Sequence, residues 1–393
     1  MHPQLDPVTY HRDVLPVHLA GERGAAAAHD TADIAPLTLV VDGLPFTYAS
    51  DGAAITVTPA ADEGARAVVE LSRPAWSDLV QLLRTVPSLA LAGDLTFARG
   101  GFGHLSRWEP ALRCLYAGIP IYDPATADLD GVDLARTFAF ADMDAGTGVA
   151  VMTEHLQRVG FLHVREVFTT DEIAALNAEV DRLATAAEPG DGRSWWATDD
   201  RGDEVLCRLV YAGTGSAQIA ALPADERLQR LVALSPHEYV TANDRMEGEA
   251  VLLKTAGELK GLANIPWHTD CGLGGHPIVC PSLAIGIQLT AASADAGRFE
   301  AVAGSHGQTC RYAADGDLTG LPVVGVDTEP GDVTLHYADV MHASPPPTGA
   351  GGRRVLYLTW YNPAILDWIG PGRALNDLVR DRQAAAEELV HPA

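Results

Sequence analysis

Trp267-His268-Thr269-Asp270, followed downstream by Met341-His342-Ala343-Ser344 and then Arg353, is the stretch from which the fold of this chain can be read. Residues i and i+2 of an extended segment point to the same side, so one strand end can present His268 and Asp270 together. Two imidazoles and one carboxylate occupy one face of a six-coordinate ferrous ion and leave the remaining positions open. The third ligand must come from elsewhere. His342 is a candidate, near the end of the alternating run Gly331-Asp332-Val333-Thr334-Leu335-His336, which a glycine-led turn opens; His336 is its direct rival. Arg353 lies eleven residues beyond His342, across a proline- and glycine-rich loop at 345–352. A strand returning from that loop would bring its guanidinium to the pocket. Its planar fork of donors suits the far carboxylate of 2-oxoglutarate, with Ser344 adding a hydroxyl.

Four separate pieces of the chain resemble the phytanoyl-CoA dioxygenase family of iron(II)/2-oxoglutarate oxygenases, over about 151–361. The first is Leu156-Gln157-Arg158-Val159-Gly160-Phe161-Leu162-His163-Val164, with Phe168-Thr169-Thr170-Asp171-Glu172-Ile173 after it. The second is the Trp-His-x-Asp segment, the third is Gly304-Ser305-His306, and the fourth is His342, Ser344 and Arg353 at the family's spacing. The resemblance implies Fe(2+) on His268, Asp270 and His342, with 2-oxoglutarate on Arg353 and Ser344, O2 as the other cosubstrate, and hydroxylation of an unactivated C–H bond. Three prolines stand where the family more often has Gly-Pro-Asn. Asp270 argues against halogenation, for which relatives vacate the carboxylate position. Desaturation, cyclisation and epimerisation use the same chemistry and stay open.

Other residues compete for notice. His306 reads as a turn residue, and His336 as a strand histidine with a hydrogen-bonding role. His276 with Cys271 and Cys280 invites a zinc reading, but their spacing is too wide for a zinc knuckle. Only Lys254 and Lys260 among 27 basic residues are lysines, both just upstream of His268. Lys254 is accordingly placed with the cosubstrate site, as a compact ammonium facing a carboxylate.

Composition narrows the class of protein. The chain has 393 residues, 47% of them hydrophobic, and a formal net charge of -25. That charge repels nucleic acid and anionic membrane surfaces. The first residues lack the basic and apolar regions of a signal peptide, and no apolar run reaches membrane-spanning length. Five cysteines without framework spacing point to a reducing compartment. The expected setting is cytoplasmic, and the expected partner is a small, apolar or acyl-bearing substrate.

The predicted fold class is α+β in two domains. Residues 1–125 form a smaller α/β domain, 126–150 a linker rich in Asp, Ala and Gly, and 151–393 the oxygenase domain. In the first, Leu37, Leu39 and Val41 alternate, as do Phe46 and Tyr48, Ile55 and Val57, and Val69 and Leu71, predicting an antiparallel meander. Pro74 then opens a helix capped by Ser72, with Trp76, Leu79, Val80 and Leu83 on one face. The stretch 36–122, with Leu91-Ala92-Gly93-Asp94-Leu95 and Trp108, is similar to sterol-carrier-protein-2-like domains. That likeness implies an apolar tunnel for acyl chains or a retained scaffold, and it opens an alternative in which the chain is a lipid carrier with a degenerate oxygenase half. A third class is a zinc hydrolase on the same barrel, for which no general base is evident.

In the second domain Thr169 and Glu172 stand at capping-box spacing ahead of a helix with Ile173, Leu176, Val180 and Leu183 on one stripe. The runs at 251–253, 283–289, 323–326, 333–335 and 355–361 predict strands of a double-stranded β-helix with flanking helices. Ser194-Trp195-Trp196 and the Gly-rich 272–275 are candidate lids.

Overall fold

The computed structural model describes residues 2–243, 247–260, 267–272, 278–310, 318–349 and 351–367. The chain divides into two compact units. The first comprises 1–123 with the described parts of 271–279 and 307–317, and the second holds the rest.

The first unit is built on strands β1 (Leu37–Val41), β2 (Leu44–Ser50), β3 (Ile55–Thr58), β4 (Ala67–Leu71) and β5 (Leu95–Arg99) in the order β3-β2-β1-β4-β5. Asp42 and Gly43 both have positive φ (48° and 81°), which suits the two-residue turn joining β1 to β2. The antiparallel meander expected here is corrected. β4 runs parallel to β1, Leu37 opposite Ala67 through Val41 opposite Leu71, because the chain leaves the edge strand β3 and crosses back to the far side of β1. Ser72 caps the helix Arg73–Val80, its hydroxyl accepting from Ala75 N. Trp76 and Trp108 are fully buried, as is Tyr48. Tyr48 OH lies between Tyr116 OH at 2.8 Å and His11 Nε2 at 2.7 Å. His11 Nδ1 faces the carbonyl of Pro7 at 2.7 Å, so that nitrogen donates and Nε2 accepts from Tyr48. Burial pushes this imidazole down to about 4, which keeps it neutral in that role.

The second unit carries β6 (Thr137–Ala139), β7 (Phe161–Arg165), β8 (Ser194–Asp199), β9 (Glu204–Leu209), β10 (Val240–Thr241), β11 (Ala250–Lys254), β12 (Glu258–Lys260), β13 (Leu283–Gln288), β14 (Phe299–Val302), β15 (Val323–Val326), β16 (Val333–Tyr337), β17 (His342–Ala343) and β18 (Arg353–Tyr361). Among the described residues a large sheet runs β12-β8-β9-β11-β18-β13-β16-β7-β6, with β10 also on β18, and a small one runs β15-β14-β17. Part of the expected linker, 126–150, is therefore an edge strand: Thr137–Ala139 lies parallel to β7. Ser194-Trp195-Trp196 is likewise strand β8 rather than a lid loop, with Trp195 opposite Arg208. Of the glycine-rich lid candidate, 273–275 lie outside the described residues, as does His276.

Register separates the large sheet into two faces, since residues directly opposite across a ladder share a side. Val251, Ile285, Ile287, Leu335, Leu356 and Leu358 fall on one face and join the core formed with Leu176 and Val180 of the helix Thr170–Thr185. Lys254, Arg353, Tyr357, Gln288, Gly286 and His336 fall on the other. That second face meets the small sheet, where the Phe299 ring lies 4.9 Å from His336. A side chain on Gly286 would strike Thr334 Oγ1 and the Tyr357 ring, each at 2.9 Å, so glycine keeps this crowded face passable.

Glu172 ties the buttressing helix down. It completes the capping box with Thr169 and accepts from Arg227 Nη2 at 2.9 Å and Nη1 at 3.0 Å. The Arg227 guanidinium holds the Glu172 carboxyl down to about 2 from an ordinary 4.5. A folded value below the unfolded one contributes stability above the unfolded value, and the contribution is lost as pH falls toward the folded one. Glu172→Gln is expected to lower stability at neutral pH and to flatten acid unfolding between about pH 4.5 and 2. Parallel acid titrations of the two proteins by circular dichroism check this, and coincident slopes would refute it.

Candidate metal centre

The sequence His-x-Asp forms its pair through backbone pairing on both sides. His268 and His342 exchange N–H···O=C bonds of 2.9 Å in both directions, while Asp270 N donates to Ala338 O at 2.8 Å. His342 is also opposite Ala301 of β14, so it is held from two sides. Directly opposed residues share a face, and the two imidazoles converge with centroids 4.2 Å apart. Asp270 Oδ1 lies 3.4 Å from His268 Nε2 and 3.8 Å from His342 Nε2. Among the described residues, the donor atoms of His268, Asp270 and His342 all lie within 4.8 Å of one another.

The protonation states suit a cation. His342 Nδ1 sits 2.9 Å from Val340 O, which can only accept, so the ring proton is on Nδ1 and Nε2 keeps its lone pair. Burial pushes His342 well below its usual value, and the neighbouring His268 adds to this. Burial alone would raise Asp270, but the His342, His268 and His336 imidazoles outweigh it and hold the carboxyl well below its usual range. A neutral imidazole beside an ionised carboxylate is the state a divalent ion binds. The triad fits the iron(II) ligand set on donor chemistry and on spacing.

The second element is a buried guanidinium. Arg353 is 1% exposed, and among the described residues its contacts are neutral. Nη1 donates to Ser344 Oγ at 2.9 Å and Gly297 O at 3.3 Å, and Nη2 to Gln288 Oε1 at 3.3 Å and Tyr357 OH at 3.4 Å. Among the described residues its Nε has no hydrogen-bond partner. Lys254, directly opposite Arg353 in the ladder, donates from Nζ to Ser344 O and to Pro345 O, the latter at 2.6 Å. It therefore fixes the main chain from which the Ser344 hydroxyl projects.

The family model described as phytanoyl-CoA dioxygenase matches residues 156–355. The chain belongs to this family. No curated protein matches the chain. Solved structures similar to it include AviO1 from Streptomyces viridochromogenes Tue57, 26% identical over 58% of this chain and 100% of that one, with a TM-score of 0.46. Another is the non-heme alpha ketoglutarate dependent epimerase SnoN from nogalamycin biosynthesis, 20% identical over 58% and 94%, TM-score 0.44. A third is EctD from S. alaskensis with 2-oxoglutarate and 5-hydroxyectoine, 20% identical over 63% and 83%, TM-score 0.46.

Residues outside the four motif segments also sit on this face. Arg208 of β9 pairs with Glu247 at 2.7 Å and lies over the Trp195 ring at 5.3 Å. Burial pushes the Glu247 carboxyl up against the pull of Arg208. The sequence held a signal for this, a lone arginine inside the run Val205-Leu206-Cys207-Arg208-Leu209-Val210. His306 stands apart from the triad, stacked on Tyr337 at 5.3 Å with Nε2 facing Gln157 O. The Lys260 side chain lies outside the described residues. No helix among the described residues is long and apolar enough to cross a membrane.

Proposed function

We propose that the chain is an iron(II)- and 2-oxoglutarate-dependent dioxygenase that hydroxylates an unactivated C–H bond of a small molecule. The carrying observation is the buried Arg353, a cation without a carboxylate partner among the described residues, on the sheet face that also bears His336 beside the triad. A buried charge of this kind calls for an anion. His268, Asp270 and His342 would hold Fe(2+); Arg353 and Ser344 would bind the far carboxylate of 2-oxoglutarate, and Lys254 would hold the Ser344 segment in place. When bound, the iron and its cosubstrates supply the oxidising power, converting 2-oxoglutarate and O2 to succinate and carbon dioxide as the substrate is hydroxylated. The residues of the chain hold geometry. They fix the triad on paired backbone, keep a lone pair on His342 Nε2, and would present the Arg353 fork to the cosubstrate.

The two sheets are read as the walls of a double-stranded β-helix with the triad at its mouth. The substrate has to share the inner face with the Arg208–Glu247 pair, so the class that fits is a small metabolite with a polar group beside its apolar or acyl part. For the first unit we favour a scaffold of sterol-carrier type over a lipid carrier. Trp76, Trp108, Tyr48 and Tyr116 fill its interior, where an acyl chain would have to lie.

Anaerobic addition of iron(II) and then 2-oxoglutarate to the purified apoprotein is expected to produce the weak visible charge-transfer band of a chelated keto acid. Its absence in a folded, iron-loaded sample would shift the weight to a carrier or hydrolase. Substrates are then sought by the succinate they release.

A further inference from the structure

Asp270 has two oxygens, and only one of them faces the other ligands. Oδ1 is the atom near His268 and His342, whereas Oδ2 lies 3.5 Å from Nε2 of His336. His336 is 2% exposed, and among the described residues neither of its ring nitrogens has a hydrogen-bond partner. Its place is fixed all the same. It pairs with Ala284 and Phe161 in the large sheet, and its ring packs between Phe299 at 4.9 Å and His342 at 4.5 Å. A neutral imidazole carries one N–H, and Asp270 Oδ2 is an acceptor 3.5 Å from its Nε2. An apolar residue would fill this position without leaving a buried donor unmatched. The imidazole is therefore accounted for by what it does toward Asp270.

We propose that His336 is a positioning residue: it donates from Nε2 to Asp270 Oδ2 and so restricts the carboxylate to ligation through Oδ1. This rests on the iron reading above. The separation is longer than a formed hydrogen bond, and it closes when a cation fixes Oδ1. The consequence is a count of positions. A carboxylate with both oxygens on the metal would take a place that a chelating cosubstrate or dioxygen needs. His336 is not a fourth ligand here, since the group of mutually close donors is His268, Asp270 and His342.

The test uses cobalt(II) as a visible probe of the full-length apoprotein, comparing wild type with His336→Gln and His336→Leu. Glutamine keeps an N–H at similar reach, and leucine keeps bulk without a donor. Outer-sphere partners of metal ligands typically change affinity by about 10- to 100-fold, so His336→Leu is expected to bind cobalt that much more weakly, with an altered visible spectrum, and His336→Gln to stay within about threefold of wild type. The thermal midpoint of the metal-free leucine variant should not fall, which separates positioning from a packing role. Wild-type affinity and spectrum in His336→Leu overturn the proposal, and so does a loss in His336→Gln as large as in His336→Leu. If wild type itself takes up no cobalt, the metal reading fails first, and that result is distinct from the other two.

Discussion

His268→Ala and Asp270→Ala are each expected to weaken iron(II) binding by about a hundredfold or more and to abolish turnover, with His342→Ala behaving alike. Each removes one of three donors that the backbone pairing of 268 with 342 brings within 4.8 Å. A structural site with four ligands binds zinc with roughly 10–16 kcal/mol, so one ligand carries about 3 kcal/mol, on the order of a hundredfold or more in affinity. Asp270 should cost the most. It is the one anion of the set, and without it two neutral imidazoles must hold a dication. Equilibrium metal titration of the folded apoproteins measures this, and the decisive comparison is with His336. If His336→Ala loses iron while His342→Ala keeps it, the ligand assignment is wrong. The expected order is severe loss for the triad and partial loss for His336, because in the proposed arrangement His336 would act on the metal through Asp270 Oδ2, 3.5 Å from its Nε2.

The His268 and Asp270 pair was legible in the sequence because its geometry is local. A strand places i and i+2 on one side, so His268 and Asp270 had to point together wherever the segment lay. Alternation likewise marked the strands at 37–41 and 333–337, and the Thr169 to Glu172 spacing marked the helix after it. What alternation does not encode is the neighbour. It assigns faces to β1 and β4 but leaves their direction open, and the pairing proved parallel. The same gap left His336 as a rival to His342. Both point into the site, and only the assembly of large and small sheets shows that one ring faces Oδ1 and the other Oδ2. Residues 137–139 escaped notice for another reason. Three residues at a sheet edge, among Asp, Ala and Gly, carry too short a pattern to stand out from a linker. Glu247 sits at a turn whose nearest residues, 244–246, are undescribed, and its pairing with Arg208 is a long-range contact that composition cannot supply.

Arg353→Ala is expected to leave iron(II) binding intact and to weaken 2-oxoglutarate binding by about 2 to 4 kcal/mol, roughly 30- to 1,000-fold. The magnitude follows from two charge-assisted hydrogen bonds made in a buried setting. Arg353 is 1% exposed, and its partners among the described residues, a hydroxyl, a carbonyl, an amide oxygen and a phenol, supply no negative charge. Solvating a guanidinium with neutral dipoles is costly, and a carboxylate entering the fork relieves that cost as it binds. Two further outcomes follow from the same argument. Arg353→Lys should fall between wild type and alanine, because an ammonium keeps the charge but lacks the planar fork. The metal-free, cosubstrate-free Arg353→Met protein should be at least as stable as wild type, since a buried charge without a carboxylate partner among the described residues has been removed. Adding 2-oxoglutarate with the metal should then raise the thermal midpoint of wild type more than that of the variant, because a ligand stabilises only in proportion to its affinity for the folded state. Isothermal titration in the presence of a redox-silent divalent ion reads the affinities directly, and an unchanged 2-oxoglutarate affinity in Arg353→Ala would take Arg353 out of the cosubstrate pocket.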